Sequence, residues 1–264
     1  MIDRRKFLRD VFRVAGVAGL ARLGLSLPEI RAVSANPGSW PMPGPGRRYS
    51  SSPPPGDPNW THFATASNGI DAAGQASVSV AVNNVPAGAL VVVSVSAWSG
   101  SMGVSGVSDG TSAFTSTTAT TGSIGMRVQQ WYLLAANSGN RTYTATFSAG
   151  GDYPVICAQV ISYTGTIAFG TSSRAEGSST AISSGIITTA GSYPAVFGLY
   201  KVYNQAAVSS PLIGGNAWQN YTTVLADYVR AGWYDGSVAS GAATGTLAAA
   251  NLWACSVVAF REAA

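Results

Sequence analysis

From residue 75 onward the chain alternates apolar and polar residues in short bursts. In "QASVSVAVN" (75–83), Val78, Val80 and Val82 oppose Ser77 and Ser79. In "RTYTATFSA" (141–149), Tyr143, Ala145 and Phe147 fall on one side and Thr142, Thr144, Thr146 and Ser148 on the other. A period of two is what a half-buried strand requires. "ALVVVSVSAW" (89–98) is apolar on both sides at its start, which suits a central strand. Further runs predict strands at 126–134, 155–163, 195–203, 221–229 and 252–260. Between the runs fall Asn83-Asn84, Asp109-Gly110, Gly150-Gly151, Gly214-Gly215 and Asp235-Gly236, dipeptides suited to tight turns. No segment after residue 60 sustains a capped 3.6-residue apolar period. The pattern predicts an all-β chain of two packed antiparallel sheets, a jelly-roll-like sandwich. An immunoglobulin-type sandwich is the alternative, although the length exceeds one such domain and fits two awkwardly. "GDYPVICAQVISY" and "GSYPAVFGLYKVY" share Gly-x-Tyr-Pro before an apolar run, which reads as a repeated turn or a faint internal repeat.

The front of the chain is different. Residues 3–9 form a basic head, 11–27 are moderately apolar, and Val33-Ser34-Ala35 offers small residues for cleavage before Asn36. These are the three parts of an export signal. Arg4, Arg5, Phe7 and Leu8 resemble the core of a twin-arginine (Tat) leader, Ser/Thr-Arg-Arg-x-Phe-Leu-Lys, with Asp3 and Arg9 at the two departures. The resemblance implies the Tat translocase as a partner and a periplasmic or extracellular destination in a bacterial-type host. Arg13 and Arg22 interrupt the apolar part, which argues against a permanent membrane span. An amphipathic basic helix on a cytoplasmic protein is the competing reading. Residues 36–59 hold eight of the 13 prolines among Gly and Ser and read as an extended linker. A single β-sandwich domain is then expected over 60–264, roughly 200 residues, enough for a sizeable core.

Charge follows the same division. The formal charge is +4, but residues 1–35 hold seven of the 15 basic and three of the 11 acidic residues, leaving eight of each. The remainder is formally neutral, and no clustered basic face suggests nucleic acid.

"VSDGTSAFTS" (107–116), "RVQQWYLLA" (127–135), "YTATFSA" (143–149) and "VISYTG" (160–165) resemble, in that order, uncharacterised β-sandwich modules of secreted bacterial proteins. The resemblance covers about residues 75–165. It implies an extracellular accessory or surface module and carries over no catalytic residue.

Candidate chemistry is sparse. Cys157 and Cys255 lie within apolar runs, and in an oxidising compartment they would form a disulfide or remain as two buried thiols. One histidine, His62, and no Cys/His cluster argue against a zinc site. Asp71, Asp109, Asp152 and Asp235 lie near turns rather than in a dense acidic loop, so no metal and no cofactor is expected. Neither a Gly-x-Ser-x-Gly elbow with a following acid and His nor a singled-out carboxylate pair is present. Tyr200 to Gln205, "YKVYNQ", is similar to part of the Tyr-x-Lys-Ala-Gly-x-Tyr-x-Gln signature of jelly-roll alginate lyases, which would make Tyr203 the proton-moving residue. The Ala-Gly pair is shortened to Val202, and the companion Gln-x-His and Arg-rich strand are missing. Finally, "GGNAWQNYTT" (214–223) and "AGWYDG" (231–236) place Asn216, Trp218, Gln219, Asn220, Tyr221, Trp233 and Tyr234 at polar turns. An aromatic plate flanked by amides suits a sugar ring; the same rings could instead fold back onto the sandwich.

The leading expectation is an exported, non-catalytic β-sandwich that binds or adheres at the cell surface, with a polysaccharide or other envelope component as partner. A self-assembling structural surface protein is the second reading, and a polysaccharide lyase or hydrolase the third.

Overall fold

The computed structural model describes residues 60–98, 103–188, 195–224, 229–235 and 240–263. The export leader and Pro-rich linker expected over 1–59 lie outside them. The described residues are nearly all strand, and every ladder is antiparallel, as the alternation predicts. No helix among them is long and apolar enough to cross a membrane.

The first half of the fold holds β1 (Trp60–Gly69), β2 (Gln75–Val85), β3 (Leu90–Trp98), β4 (Val104–Ser108), β5 (Thr115–Ser116), β6 (Met126–Leu133) and β7 (Gly139–Tyr163). The second holds β8 (Ile167–Ser183), β9 (Ile187–Thr188), β10 (Ala195–Val202), β11 (Val208–Ile213), β12 (Asn216–Ala217), β13 (Gln219–Val224), β14 (Val229–Asp235), β15 (Ser240–Gly241) and β16 (Ala243–Glu262). The run expected as one strand over 221–229 supplies the end of β13 and the start of β14, with 225–228 outside the described residues.

β7 explains how one chain builds two layers. Gly150-Gly151 reads as a turn in the sequence, yet the ladder continues through it. Gly150 has a φ of +78° and Tyr153 one of +49°, the left-handed region that few side chains tolerate. These residues kink β7 instead of reversing it. Before the kink it pairs with β2 and β4; beyond it, with β1 and β3. The two layers enclose a core of Val78, Val80, Val82, Tyr143, Ala145 and Phe147 against Val91, Val93, Val95, Ile156, Ala158 and Val160. Each of these lies on one side of an alternating strand, so the sequence pattern and the layer agree.

The second half repeats the plan. Its sheet contains the path β8-β16-β10-β14-β13, with β11 also on β16, and the first contains the path β1-β7-β3-β6-β5, with β2 and β4 also on β7. Ranked by chain position among the five strands of each path, both orders are first, fifth, second, fourth, third. β16 plays the part of β7, pairing with β11 near its start and with β10 near its end. A second core, including Ile182, Tyr200, Val208, Trp218, Leu247 and Trp253, fills that half. The shared Gly-x-Tyr-Pro does not mark this duplication: it precedes parts of β7 and β10, whereas the counterpart of β10 is β3.

The two central sheets then pack face to face. Trp60, Leu90, Val92 and Ile161 meet Phe197, Trp233, Val258 and Phe260, and Met126, Val128, Val155 and Cys157 meet Leu199, Val229, Ala231 and Ala254. The docking is reciprocal: β6 of the first half packs on β16, and β14 of the second packs on β7. Ser67 on β1 bonds Thr222 on β13 at 2.7 Å, and Glu176 on β8 takes the chain just before β6. An approximate two-fold axis between β3 and β10 therefore relates the halves.

Glu176 is a latch on that join. It accepts from Gly122 N at 3.0 Å and Ser123 N at 3.1 Å, and from the hydroxyls of Thr121 and Ser123. Burial raises its pKa, but these donors outweigh burial and hold it below the ordinary glutamate value. A carboxyl held low stabilises the fold above its unfolded pKa, and that contribution disappears as pH falls through the folded value. Denaturation midpoints should therefore drop from roughly pH 5 to 3, and Glu176→Gln should flatten the slope. Identical pH profiles for the two proteins would remove the latch.

Candidate functional site

The aromatic plate expected around Trp218 and Trp233 is not at the surface. Trp218 is 6 % exposed and meets the Tyr200 ring edge-on at 5.3 Å in the core of the second half. Trp233 is 2 % exposed and stacks between His62 and Phe197, at 6.1 and 6.0 Å, in the layer joining the halves. The two indoles thus lie on opposite faces of the β10-β14-β13 sheet. Tyr234 is half-buried against the Trp218 core. Asn216 sits in β12 and donates to Gly214 O at 3.3 Å, tightening its own turn. Gln219 is exposed on β13, opposite Trp233 in the ladder. Asn220 and Tyr221 lie on the β13 backbone, and their side chains are outside the described residues.

The cysteines are also separated by a sheet. Cys157 faces the layer between the halves and Cys255 the core of the second half, and both are free and buried. The disulfide reading is therefore replaced by that of two small apolar side chains. Burial pushes the Cys157 thiol up to about 12 and Cys255 higher still, so neither is poised as a thiolate.

Other candidates are committed to structure. His62 Nε2 lies 2.8 Å from Thr65 Oγ1, and burial lowers the pKa of the ring. Asp109 folds back on Thr111 N at 2.9 Å and Ser112 N at 2.6 Å, with Arg141 at 4.0 Å. No group of three or more His, Cys, Asp or Glu able to hold a metal occurs among the described residues. A recess lined by Val95, Ala97, Val104 and Arg127 has room for about one water.

The "YKVYNQ" segment divides. Tyr200 points into the second core, and Lys201 is fully buried on the opposite face of β10, where Nζ donates to Tyr153 O at 3.3 Å. Tyr203 escapes. It lies just beyond β10 in a 3₁₀ turn over Tyr203–Gln205, is 43 % exposed, and stacks on Trp98, the last residue of β3, with centroids 5.0 Å apart and planes 25° apart. Trp98 and Tyr203 thus end equivalent strands and meet at one end of the two-fold axis.

Hydrogen bonds to the backbone hold this rim. Asn251 Nδ2 donates to Tyr203 O at 2.9 Å, and Asn251 Oδ1 accepts from Leu252 N at 2.8 Å. Asn204 adopts a φ of +55° and is exposed beside the tyrosine. Asp152 faces Trp98 across the β3–β7 ladder, and its Oδ1 accepts from Gly74 N at 2.7 Å. Tyr153, next to it, is 38 % exposed. The rim therefore presents a half-buried Trp98, an exposed Tyr203 and an exposed Asn204, with Asp152 beside it. Tyr203 is visible in the sequence as a candidate, but for proton transfer. Trp98 reads only as the end of an apolar strand, and nothing local marks it as the partner of a residue a hundred positions away.

No protein-family model matches the chain, and neither a curated protein nor a solved structure does.

Proposed function

We propose that the chain is an exported, non-catalytic binding module that acts in the periplasm or at the cell surface, with a glycan as its ligand. The observation that carries this reading is the Trp98–Tyr203 stack, which stays partly exposed where β3 and β10 end. Sugar rings offer apolar C–H faces that stack on such rings, while neighbouring amides meet their hydroxyls. Asn204 is placed to do so.

Retention of the processed protein on insoluble polysaccharides tests the reading. Tyr203→Ala should weaken retention about tenfold or more, equivalent to about 1.4 kcal/mol, with little change in thermal midpoint. Tyr203→Phe should keep it, because the face and not the hydroxyl is used. A wild-type protein that ignores a broad panel ends the glycan reading. Cleavage of a uronate polymer that disappears in Tyr203→Phe would replace it with the lyase.

A self-associating surface protein is favoured by a different observation. The outer face of β2-β7-β4 carries Ser77, Ser79, Thr142, Thr144 and Thr146 without a charge, and Ser79 Oγ lies 2.8 Å from Thr144 Oγ1. Nothing electrostatic keeps two such faces apart. Concentration-dependent oligomers on size exclusion, without glycan retention, would establish that role instead.

A further inference from the structure

We infer that the Trp98–Tyr203 rim disfavours acidic sugars, and that Asp152 is the residue that enforces the selection. The inference rests on the glycan-binding reading above and adds which glycans are refused.

The charges around the rim are one-sided. Asp152 stands opposite Trp98 in the β3–β7 ladder, with its carboxylate fixed by the Gly74 amide. Lys201, on the strand that leads to Tyr203, is fully buried, and its ammonium is turned inward onto Tyr153 O. Arg127, on the strand beside β3, donates Nη2 to Thr121 O at 3.1 Å, while the turn after β1 adds Asp71. A uronate or sulfated sugar stacked here would bring a second anion close to Asp152, while Lys201 and Arg127 are already turned onto backbone carbonyls. Like charges a few ångströms apart repel appreciably even near water, and a polar ligand group left without a partner loses its hydration. A neutral sugar incurs neither penalty. The same arrangement opposes the lyase reading, because elimination from a uronate needs its carboxylate neutralised.

Asp152→Asn isolates the charge. The amide oxygen can still accept from Gly74 N, so the turn that positions residue 152 is kept. The experiment compares retention of the full processed chain on cellulose, xylan and mannan with retention on alginate and polygalacturonate. The wild type should bind at least one neutral polymer and neither acidic one. Asp152→Asn should strengthen acidic-polymer binding about three- to tenfold at low salt, leave neutral binding within about twofold, and lose the gain in high salt. Tyr203→Ala should weaken both about tenfold or more.

Failure takes distinguishable forms. A wild type that binds no polymer removes the glycan reading itself. One that binds a neutral polymer unaffected by Tyr203→Ala keeps that reading and overturns this site. Preference for an acidic polymer, or an Asp152→Asn change shared equally by neutral and acidic polymers, overturns the selection by Asp152.

Discussion

Trp218→Ala should cost about 3–5 kcal/mol of stability, as deletion of a buried indole does. In a domain of this size the thermal midpoint should fall by roughly 10 °C or more. The ring is 6 % exposed and packs edge-on to Tyr200. Beneath it, a Cβ on Gly198 would come within 2.8 Å of the indole and 3.1 Å of Ala243 Cβ. The absence of a side chain at Gly198 is thus part of the Trp218 pocket. Nε1 of Trp218 has no hydrogen-bond partner, so the loss is one of packing. Gly198→Ala probes the same contact from the other side and should also destabilise, because the indole and Ala243 cannot both retreat. Urea or thermal denaturation checks both. A Trp218→Ala protein as stable as wild type, but weaker on polysaccharide, would return that residue to a surface role.

Gln130→Leu should cost about 2–4 kcal/mol, with a different cause. Gln130 lies in the layer between the halves, only 1 % exposed. Its Nε2 donates to Phe197 O at 3.2 Å, and its Oε1 accepts from Ser256 Oγ at 3.0 Å. Leucine fills the space but leaves the buried Ser256 hydroxyl without that acceptor. A buried polar group deprived of its partner loses hydration with nothing in exchange. Removing the hydroxyl as well, in Gln130→Leu/Ser256→Ala, should recover much of the loss. Equal stabilities for the single and double variants would show that water reaches Ser256.

The strands legible in the sequence are those whose alternation matches their burial. β2, β3, β6, β10 and the two halves of β7 fall within a few residues of the expected runs. β8 was hidden because "IAFGTSSRAEGSSTAIS" has little apolar periodicity; its order comes from pairing along most of β16. The Gly150-Gly151 kink carries the same residue signature as a tight turn. Whether the chain reverses there depends on what pairs beyond it, which local sequence does not encode. The aromatic residues mislead for a related reason. "GGNAWQNYTT" is polar on either side of Trp218, but that indole fills space above a glycine on another strand. Burial of one bulky residue inside a polar stretch is decided by tertiary contacts. The Trp98–Tyr203 meeting is likewise invisible to spacing, because it depends on how the halves dock.

The approximate two-fold has a consequence for how the protein can change. Where two separate identical subunits associate, a position on the symmetry axis must face its own copy, and any favourable unequal pairing has to occur twice. Here a connector of only Thr164, Gly165 and Thr166 runs from β7 to β8, so every axial position exists as two independently mutable codons. An indole can meet a phenol, and Gln130 can take Ser256 without a mirrored duplicate. A single chain thereby lets one member of each unequal pair change while the other is kept.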